Sequence, residues 1–244
     1  MLIGTTELKF DKRNNSNVYV VGATETGKTR LYIHTNVGQE KEKNIIVIES
    51  MKKETYYFTH QMKVEQGYQV LRLDLLSPCF HERLQELLSC HPQQKFILYI
   101  HVDVVGSTYE ERGERVQNML QIFLEQSSIQ AMQVYLDEYD MYPIPHIAKV
   151  LCVTRGYQME ISIVVKYHTQ LQQIHGKDVA NQVLTNCDRK LFFGTNSMQD
   201  AEYFSRISGY DQMELFLLQN EIIVMGAYHH TPQKLPIQQV DCKY

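Results

Sequence analysis

The chain has 244 residues, of which 43% are hydrophobic, and its formal net charge is −4. This length and apolar content are sufficient for one large α/β unit with a substantial core. The charge excludes a protein whose whole surface grips nucleic acid, because such a surface is strongly basic. No apolar run approaches membrane-spanning length and no signal peptide begins the sequence, so we expect a cytoplasmic protein without a direct membrane span.

The first motif in chain order is the segment NVYVVGATETGKTR, residues 17–30. The apolar run Val18–Val21 predicts a strand that enters a loop with the spacing Gly-x-x-x-x-Gly-Lys-Thr. Glycines allow successive backbone N–H groups to point at phosphates, and a helix from about Lys28 to Val37 would direct its positive N-terminus at the same anion. We therefore predict an ATP- or GTP-binding loop rather than an ordinary glycine-rich turn. Its predicted nucleotide-binding residues are Gly22, Ala23, Thr24, Glu25, Thr26, Gly27, Lys28, Thr29 and Arg30.

A second motif far downstream, Met132–Glu138, is an apolar strand that ends in two carboxylates. This is the form of a Walker B element, in which Asp137 would hold Mg²⁺ through water and Glu138 would polarise the attacking water. In the phosphate loop, Lys28 would neutralise charge on the β- and γ-phosphates and the Thr29 hydroxyl would hold Mg²⁺. A strand ending in Asp-Glu is weak evidence alone, but together with the loop it favours nucleotide hydrolysis.

Strand-like runs alternate with amphipathic helical segments along most of the chain. The predicted strands are Val18–Val21, Ile45–Glu49, Tyr68–Asp74, Phe96–Val102, Gln133–Asp137, Ile161–Lys166, Lys190–Phe193 and Glu221–Met225. The predicted helices include Lys53–Gln66, Glu110–Gln126, Pro145–Arg155 and Asp200–Ser208. Continuous apolar strands are typical of strands covered on both faces. The pattern predicts an α/β fold with a mostly parallel central sheet and helices on both faces. We expect a single domain over residues 1–244, with an extended tail from residue 231.

The strand Ile161–Lys166 ends in a lysine whose role depends on the order of the strands. If this strand lies between the loop strand and the Asp137 strand, the tip of Lys166 faces the γ-phosphate. That order defines the RecA-like class of P-loop ATPases, in which a polar sensor residue occupies this place. Lys166 is then either a catalytic cation beside the transferring phosphate or a solvated lysine at a strand end, and the sequence leaves both open.

The cysteines are odd in number and scattered, which is typical of reduced, buried thiols in a cytosolic protein. They are Cys79, Cys90, Cys152, Cys187 and Cys242. A zinc site is the alternative for one cluster, whose possible ligands are Cys79, His81, Cys90 and His91. Their spacing matches no common zinc pattern, and the intervening Leu84, Leu87 and Leu88 predict a helix that packs inward.

Beyond these motifs, the chain resembles the conjugative coupling proteins of type IV secretion, the TraG/TraD-like P-loop ATPases. The matching segments are LDEYDMYPIPHI (136–147), TRGYQMEISIVV (154–165), TQLQQIHGKD (169–178), NCDRKLFFGTN (186–196), AEYFSRISG (201–209) and, upstream, VIESMKKETYYFTHQMKVEQGYQVLRLDL (47–75). The resemblance covers almost the entire chain, and it is more specific than the two nucleotide motifs alone.

The resemblance implies an ATP- and Mg²⁺-dependent motor that delivers DNA or nucleoprotein to a type IV secretion channel. It implies a homo-oligomer, such as a hexameric ring, which contacts DNA, the relaxase or relaxosome and channel components. The protein would be cytoplasmic or peripheral at the inner face of the cell membrane. An arginine from the neighbouring subunit would complete the site, with Arg155 as the first candidate and Arg206 and Arg189 as the others.

The sequence departs from the family pattern in four places. Few residues precede the loop, where family members usually carry transmembrane helices, so we expect no direct membrane span. The interval from Leu76 to Met132 predicts one strand and two helices in place of an all-helical domain. Lys166 stands where the family has glutamine, and the usual Asp-Pro-Lys-Gly after the second strand is replaced by residues 49–53, Glu-Ser-Met-Lys-Lys. The departures favour an alternative hypothesis, a nucleotide-gated docking module of a conjugation system with little or no ATP hydrolysis. A metabolic P-loop kinase is a third reading, but no acceptor-binding motif is visible.

Overall fold

The computed structural model describes residues 1–8, 16–50, 54–90, 94–125, 131–226 and 231–237, with the side chains of Cys90 and Arg155 outside the description. The strands are β1 (Leu2–Ile3), β2 (Thr6–Glu7), β3 (Val18–Val21), β4 (Asn44–Glu49), β5 (Gln69–Asp74), β6 (Phe96–His101), β7 (Met132–Leu136), β8 (Met159–Val165), β9 (Arg189–Phe192), β10 (Glu221–Gly226) and β11 (Gln233–Pro236). The α-helices are α1 (Thr35–Gln39), α2 (Glu54–Glu65), α3 (Phe80–Cys90), α4 (Tyr109–Glu125), α5 (Ile147–Val153), α6 (His168–His175), α7 (Lys177–Thr185), α8 (Met198–Ser208) and α9 (Gln212–Phe216). Shorter helical turns are the π-helical Lys28–His34 and the 3₁₀ turns Tyr139–Met141 and Thr154–Tyr157.

Among the described residues, nine strands form one sheet in the order β11-β10-β9-β3-β8-β7-β4-β6-β5. All neighbouring strands from β9 to β5 pair in parallel. At the other edge, β10 is antiparallel to β9 and β11 is antiparallel to β10. The predicted mostly parallel sheet is therefore confirmed, and β8 lies between β3 and β7 as the RecA-like interpretation requires.

The two faces of the sheet carry separate apolar clusters, because alternate residues of a strand point to opposite faces. Val18 and Val20 of β3 belong to one cluster, which is covered by the turn Lys28–His34, α1 and α2. Tyr19 and Val21 belong to the other cluster, which is covered by helices α3 to α9. The central strands are buried on both sides, which explains their continuous apolar runs.

Three parts of the structure differ from the sequence prediction. The helix expected from Lys28 begins with wide π-helical turns and continues to Gln39. In the predicted tail, segment β11 pairs with β10, and residues 238–244 lie outside the described residues. The short β1–β2 hairpin was not predicted, because two residues per strand leave no periodicity to detect.

The cysteines were predicted to be buried, and this is wrong for two of them. Cys79 and Cys152 are exposed, whereas Cys187 is buried, and Cys242 lies outside the described residues. The helix between the possible zinc ligands packs inward as expected, since Leu84 and Leu87 are buried and Leu88 is partly buried against the core. Within the described ranges, no helix is long and apolar enough to cross a membrane.

Candidate nucleotide-binding site

The predicted site residues follow neighbouring strands at one edge of the sheet. The loop 22–29 follows β3, Lys166 follows β8, Asp137 and Glu138 follow β7, and Glu49 ends β4. Because β3, β8, β7 and β4 are adjacent and parallel, their carboxyl ends meet at the same edge. The topology thus brings the two sequence motifs together across more than a hundred residues of chain.

Two glycines permit the conformation of the loop. Gly27 has φ +87°, a left-handed conformation, and a Cβ there would lie 2.6 Å from the Leu31 side chain. A Cβ on Gly22 would lie 2.6 Å from Cβ of Phe193, which follows β9. The first glycine of the motif is therefore required by close packing, and the second by backbone geometry.

The Lys28 side chain folds over the loop. Its Nζ donates to the carbonyl oxygens of Gly22 and Ala23, the latter at 2.7 Å. Burial lowers the pKa of Lys28 to about 8, although the nearby Asp137 carboxylate opposes this shift and Lys166 adds to it. A partly desolvated ammonium aimed into the loop is well placed to meet an anion, whose charge would restore its protonated form.

A direct hydrogen bond joins the two motifs. The Thr29 hydroxyl donates to Oδ2 of Asp137 at 2.8 Å, and the Glu138 N–H donates to Oδ1 of Asp137 at 3.0 Å. Burial raises the pKa of Asp137 to about 6, with the Thr29 hydrogen bond opposing the shift and the Glu138 charge adding to it.

The oxygen atoms of Thr29 and Asp137 suit Mg²⁺, which prefers hard oxygen ligands and retains several waters. Within the part of the chain that the structure describes, no group of three or more His, Cys, Asp or Glu side chains converges to hold a metal.

Glu138 is held in an uncommon conformation beside a buried hydroxyl. Its φ is +51°, in the left-handed region that residues other than glycine seldom adopt. Ser50, directly after β4 and 2% exposed, donates from Oγ to Oε2 of Glu138 at 2.6 Å. In the sequence, Ser50 is notable only as a departure from the family pattern, and its contact with Glu138 was not predicted.

Tyr142 supports the backbone at the carboxyl ends of β4 and β7 through hydrogen bonds. It is fully buried, and its hydroxyl donates to the carbonyl oxygens of Asp137, at 2.5 Å, and Ile48, at 3.2 Å. Arg112 of α4, also buried, donates to the carbonyl oxygen of Met141 in the turn after β7. These contacts fix the backbone that presents Asp137 and Glu138, and no sequence motif indicated them.

Lys166 lies beside the acidic turn after β7. Burial raises the pKa of Asp140, and the Lys166 charge is the largest influence that opposes this shift. Gln170 of α6 donates to Oδ2 of Asp140 at 3.2 Å, while the buried Oδ1 has no hydrogen-bond partner among the described residues. The Lys166 charge also lowers the pKa of Lys28. Lys166 therefore acts electrostatically on a residue of the phosphate loop as well as on the turn after β7.

Hydrogen bonds to helix α8 hold the segment that follows Lys166. Asp200 of α8, fully buried, accepts hydrogen bonds from the backbone N–H groups of His168 at 2.7 Å and Thr169 at 2.9 Å. A carboxylate at the first turn of a helix satisfies otherwise unpaired N–H groups and complements the helix dipole. Asp200 therefore fixes the start of α6, two residues after Lys166.

Two of the three candidate arginines belong to segments at the amino ends of strands, opposite the edge that carries the site. Arg189 pairs with Val18 at the start of β3, which is the opposite end of the sheet from the loop. Arg206 is exposed on α8 and forms an ion pair with Glu202. Arg155 belongs to the turn before β8, and its side chain lies outside the described residues.

A cavity of about 360 Å³ adjoins the loop on the side of β9 and β10. The residues that line it are Glu25, Thr26, Gly27, Arg30, Leu31, Phe193, Leu218, Gln219, Asn220 and Ile237. It combines apolar walls with amide groups, which suits a planar polar ring. The loop side of this cavity was predicted from the sequence, but its far wall, formed by residues near the two antiparallel strands, was not.

Several solved structures share this architecture. The chain is similar to the bacterial conjugative coupling protein TrwBdeltaN70, with a TM-score of 0.60 and 10% identity over 92% of this chain and 85% of that one. It is similar to VirB4 of Thermoanaerobacter pseudethanolicus, with a TM-score of 0.66 and 10% identity over 96% and 92% of the two chains. It also resembles the genome packaging NTPase B204 from Sulfolobus turreted icosahedral virus 2, with a TM-score of 0.57 and 13% identity over 90% and 96%.

The order of the strands and these similarities define an α/β fold of the RecA-like P-loop type. Residues 131–215 match the family model described as the TraM recognition site of TraD and TraG. This match confirms the TraG/TraD-like resemblance found in the sequence. None of the curated protein sequences compared is significantly similar to the chain.

Proposed function

We propose that this chain is an ATP-dependent motor of the conjugative coupling type, which hydrolyses ATP to move DNA or nucleoprotein toward a type IV secretion channel. The observation that carries the proposal is the 2.8 Å hydrogen bond between Thr29 and Asp137, which unites the phosphate loop and the Walker B strand. Glu138 follows directly, at the place where a water activated for attack on the γ-phosphate would lie.

The residues divide the chemistry among them. Backbone N–H groups of the loop would bind the phosphates, while Lys28 would exchange the carbonyl oxygens of Gly22 and Ala23 for phosphate oxygens. Thr29 and Asp137 would hold Mg²⁺, which neutralises charge on the phosphates when it is bound. Glu138 would accept a proton from the attacking water. Lys166 would stabilise the charge that develops on the transferred phosphoryl group.

The nucleotide base would lie in the cavity beside the loop. The phosphates occupy the N-terminal end of the turn Lys28–His34 in this proposal, and the cavity begins at Gly27 and Arg30. Leu218 and Phe193 would contact the ring, and the amide-bearing Gln219 and Asn220 stand at its wall.

The proposal extends to the assembly. We take residues 1–244 as a single RecA-like nucleotide-binding domain that forms a homo-oligomer, such as a hexameric ring, in which an arginine of one subunit completes the site of the next. Arg155 remains the first candidate for that arginine. The partners would be DNA, the relaxosome and channel components, and the match to a TraM recognition segment supports a relaxosome contact within residues 131–215. The protein would act in the cytoplasm, at the inner face of the membrane.

The test is Mg-ATP turnover measured across protein concentration, with and without DNA. A motor whose site is completed between subunits should turn over faster as concentration rises and when DNA is added. Lys28→Ala should abolish nucleotide binding, and Glu138→Gln should abolish turnover while nucleotide still binds. DNA-independent turnover that does not change with concentration would contradict the proposal.

A second candidate function is a nucleotide-gated docking module with little hydrolysis. The Ser50–Glu138 contact favours it, because this hydrogen bond engages the carboxylate that would activate water. Tight Mg-ATP binding without turnover, with or without DNA, would establish this alternative.

A further inference from the structure

Helix α2 carries polar side chains inward and apolar side chains outward. Thr55, Thr59 and Lys63, each one turn apart, are buried against the sheet, and Lys63 is 0% exposed. Tyr57 and Val64, two turns apart on the opposite side, are 64% and 58% exposed. A surface helix of a globular protein normally has the reverse polarity.

Specific hydrogen bonds fix this orientation. The Thr59 hydroxyl lies 2.6 Å from the Tyr99 hydroxyl of β6. Nζ of Lys63 donates to the Glu40 carbonyl oxygen and, at 2.9 Å, to Oε1 of Gln66. Rotating α2 to bury Tyr57 would break these hydrogen bonds, so they hold the apolar face outward.

The outward face is continuous along the helix, and we call it the α2 surface. Its members are Tyr57, Phe58, Gln61, Met62, Val64 and Glu65. Among the described residues, Tyr57 and Val64 project farthest into solvent on this surface. Exposed apolar patches of this kind mark interaction sites rather than ordinary surface.

The chemistry of the α2 surface favours a protein partner over DNA. Tyr57 and Phe58 carry rings of the kind that stack on bases, but the six residues of the surface include no cation to pair with phosphates, and the exposed Glu65 carboxylate repels them. Arg72 does stack on the rings of Tyr56 and Tyr57, but this places the guanidinium at one edge of the patch.

A complementary surface lies elsewhere on the same chain. In α5 and the turn that follows it, Val153 is 45% exposed, Tyr157 is 54% exposed, and Lys149 is exposed beside them. These three residues form what we call the α5 surface. It pairs apolar groups with a positive charge, where the α2 surface pairs apolar groups with the negative charge of Glu65.

The two surfaces lie on opposite faces of the central sheet. Tyr56 of α2 packs against the cluster that contains Val18 and Val20. Ile147 and Leu151 of α5 pack in the other cluster. A contact between different surfaces on opposite sides of a molecule repeats from copy to copy, and it closes into a ring if the rotation allows.

We propose that the α2 surface of one copy binds the α5 surface of the next copy, head to tail. This rests on the homo-oligomer of the proposed function and names its contact surfaces. Apolar side chains would form the centre of the interface, and the Lys149–Glu65 attraction would fix which surfaces meet.

The experiment mixes two variants of the full chain. Tyr57→Lys removes the α2 contact and leaves the α5 surface intact, while Tyr157→Glu does the reverse. By sedimentation velocity with Mg-ATP, each variant alone should be monomeric, whereas the wild type assembles. An equimolar mixture should form a one-to-one pair and nothing larger, because only one intact interface can form. The control Val105→Lys, at a side chain 79% exposed outside both surfaces, should assemble like the wild type.

Each other result counts against the proposal. Wild-type-like assembly of both variants, no pairing in the mixture, or a wild type that is monomeric at all concentrations would overturn it. Loss of DNA binding by Tyr57→Lys with intact assembly would instead assign the α2 surface to DNA. Val64→Lys and Val153→Glu serve as second variants if either tyrosine substitution disturbs folding. Affinity for a fluorescent ATP analogue, measured on dilute protein, should be equal in all variants; its absence in the wild type would refute the nucleotide site rather than the interface.

Discussion

The hydroxyl of Ser50, at the end of β4, donates a 2.6 Å hydrogen bond to the carboxylate of Glu138, at the end of β7. The two residues are 88 positions apart in sequence, and they meet because β4 and β7 are neighbouring parallel strands. Ser50 is buried, and Glu138 has a left-handed backbone, so neither side chain has much freedom to move. The hydrogen bond selects one orientation of the proposed catalytic carboxylate.

Ser50→Ala tests whether this contact orients Glu138 for catalysis. Losing one hydrogen bond to a charged group costs about 1.5–3 kcal/mol, so we expect kcat to fall roughly 10- to 100-fold. Nucleotide affinity should change little, because Ser50 lies away from the phosphate loop. Ser50→Thr, which keeps the hydroxyl, should retain most of the turnover. A faster Ser50→Ala variant would mean that the contact restrains Glu138, in agreement with the docking-module alternative.

The raised pKa of Asp137 makes the stability of the nucleotide-free protein depend on pH. Burial raises this pKa from 3.8 to about 6, so the folded state binds the proton more tightly than the unfolded state. The free energy of unfolding should therefore fall as the pH rises from about 4 to about 6 and remain lower above that range. Asp137→Asn should stabilise the nucleotide-free protein at pH 7.5 by about 1–3 kcal/mol.

Denaturant unfolding at pH 5 and pH 7.5 measures this effect. The Asp137→Asn variant should gain stability at pH 7.5 and much less at pH 5. Glu86→Gln on the exposed side of α3 removes a carboxylate that is not buried and should have no comparable effect. Mg-ATP should stabilise the wild type more at pH 7.5 than at pH 5, because the ionised carboxylate holds Mg²⁺. Equal stabilisation of Asp137→Asn at both pH values would contradict the burial argument.

The sequence predicted the parts of the site that have a strong local signal. The loop and the Asp137–Glu138 pair carry fixed spacings, and continuous apolar strands indicate a doubly covered sheet. The supporting contacts of Ser50, Tyr142 and Asp200 carry no such signal, because each is a single residue placed by tertiary packing. The sequence did not predict that β8 lies between β3 and β7, because strand order is a property of the whole fold. The role of Lys166 could therefore be predicted only on the assumption of that order.

The exposed cysteines and the strand β11 show the same limit. Burial of a thiol depends on which face of a helix meets the core, and one cysteine does not reveal that face. Segment 233–236 is short and half-polar, so only its pairing with β10 distinguishes it from an extended tail. The inverted polarity of α2 escapes detection from sequence because an apolar stripe normally predicts the buried side of a helix.

Lys166→Gln tests the cation at the tip of β8. If Lys166 stabilises charge on the transferred phosphoryl group, it acts mainly in the transition state, so kcat should fall at least about tenfold with a small change in nucleotide affinity. Steady-state turnover and equilibrium binding of a fluorescent ATP analogue separate the two quantities. Lys177→Gln, at an exposed lysine of α7, should change neither. Unchanged turnover in Lys166→Gln would show that Lys166 is a solvated lysine at a strand end, without a catalytic role.

Asp200→Ala tests whether the anchor of α6 positions Lys166. The variant leaves the buried N–H groups of His168 and Thr169 without their acceptor, which should cost about 1–2 kcal/mol of stability. Since Lys166 precedes these residues by two and three positions, its side chain should lose its fixed place, and kcat should fall while nucleotide affinity persists. Asp200→Asn keeps an oxygen acceptor and should recover part of both losses.

A purely structural role for Asp200 gives a different pattern from a positioning role. If Asp200 only stabilises α8 and α6, Asp200→Ala should lower the free energy of unfolding but leave kcat unchanged at a temperature where the variant is folded. If Asp200 positions Lys166, the effects of Asp200→Ala and Lys166→Gln on kcat should not add, because the second change removes the group that the first displaces. Turnover of the two single variants and the double variant, measured at saturating Mg-ATP, distinguishes the roles. Additive losses would show that Asp200 influences catalysis by a route that does not pass through Lys166.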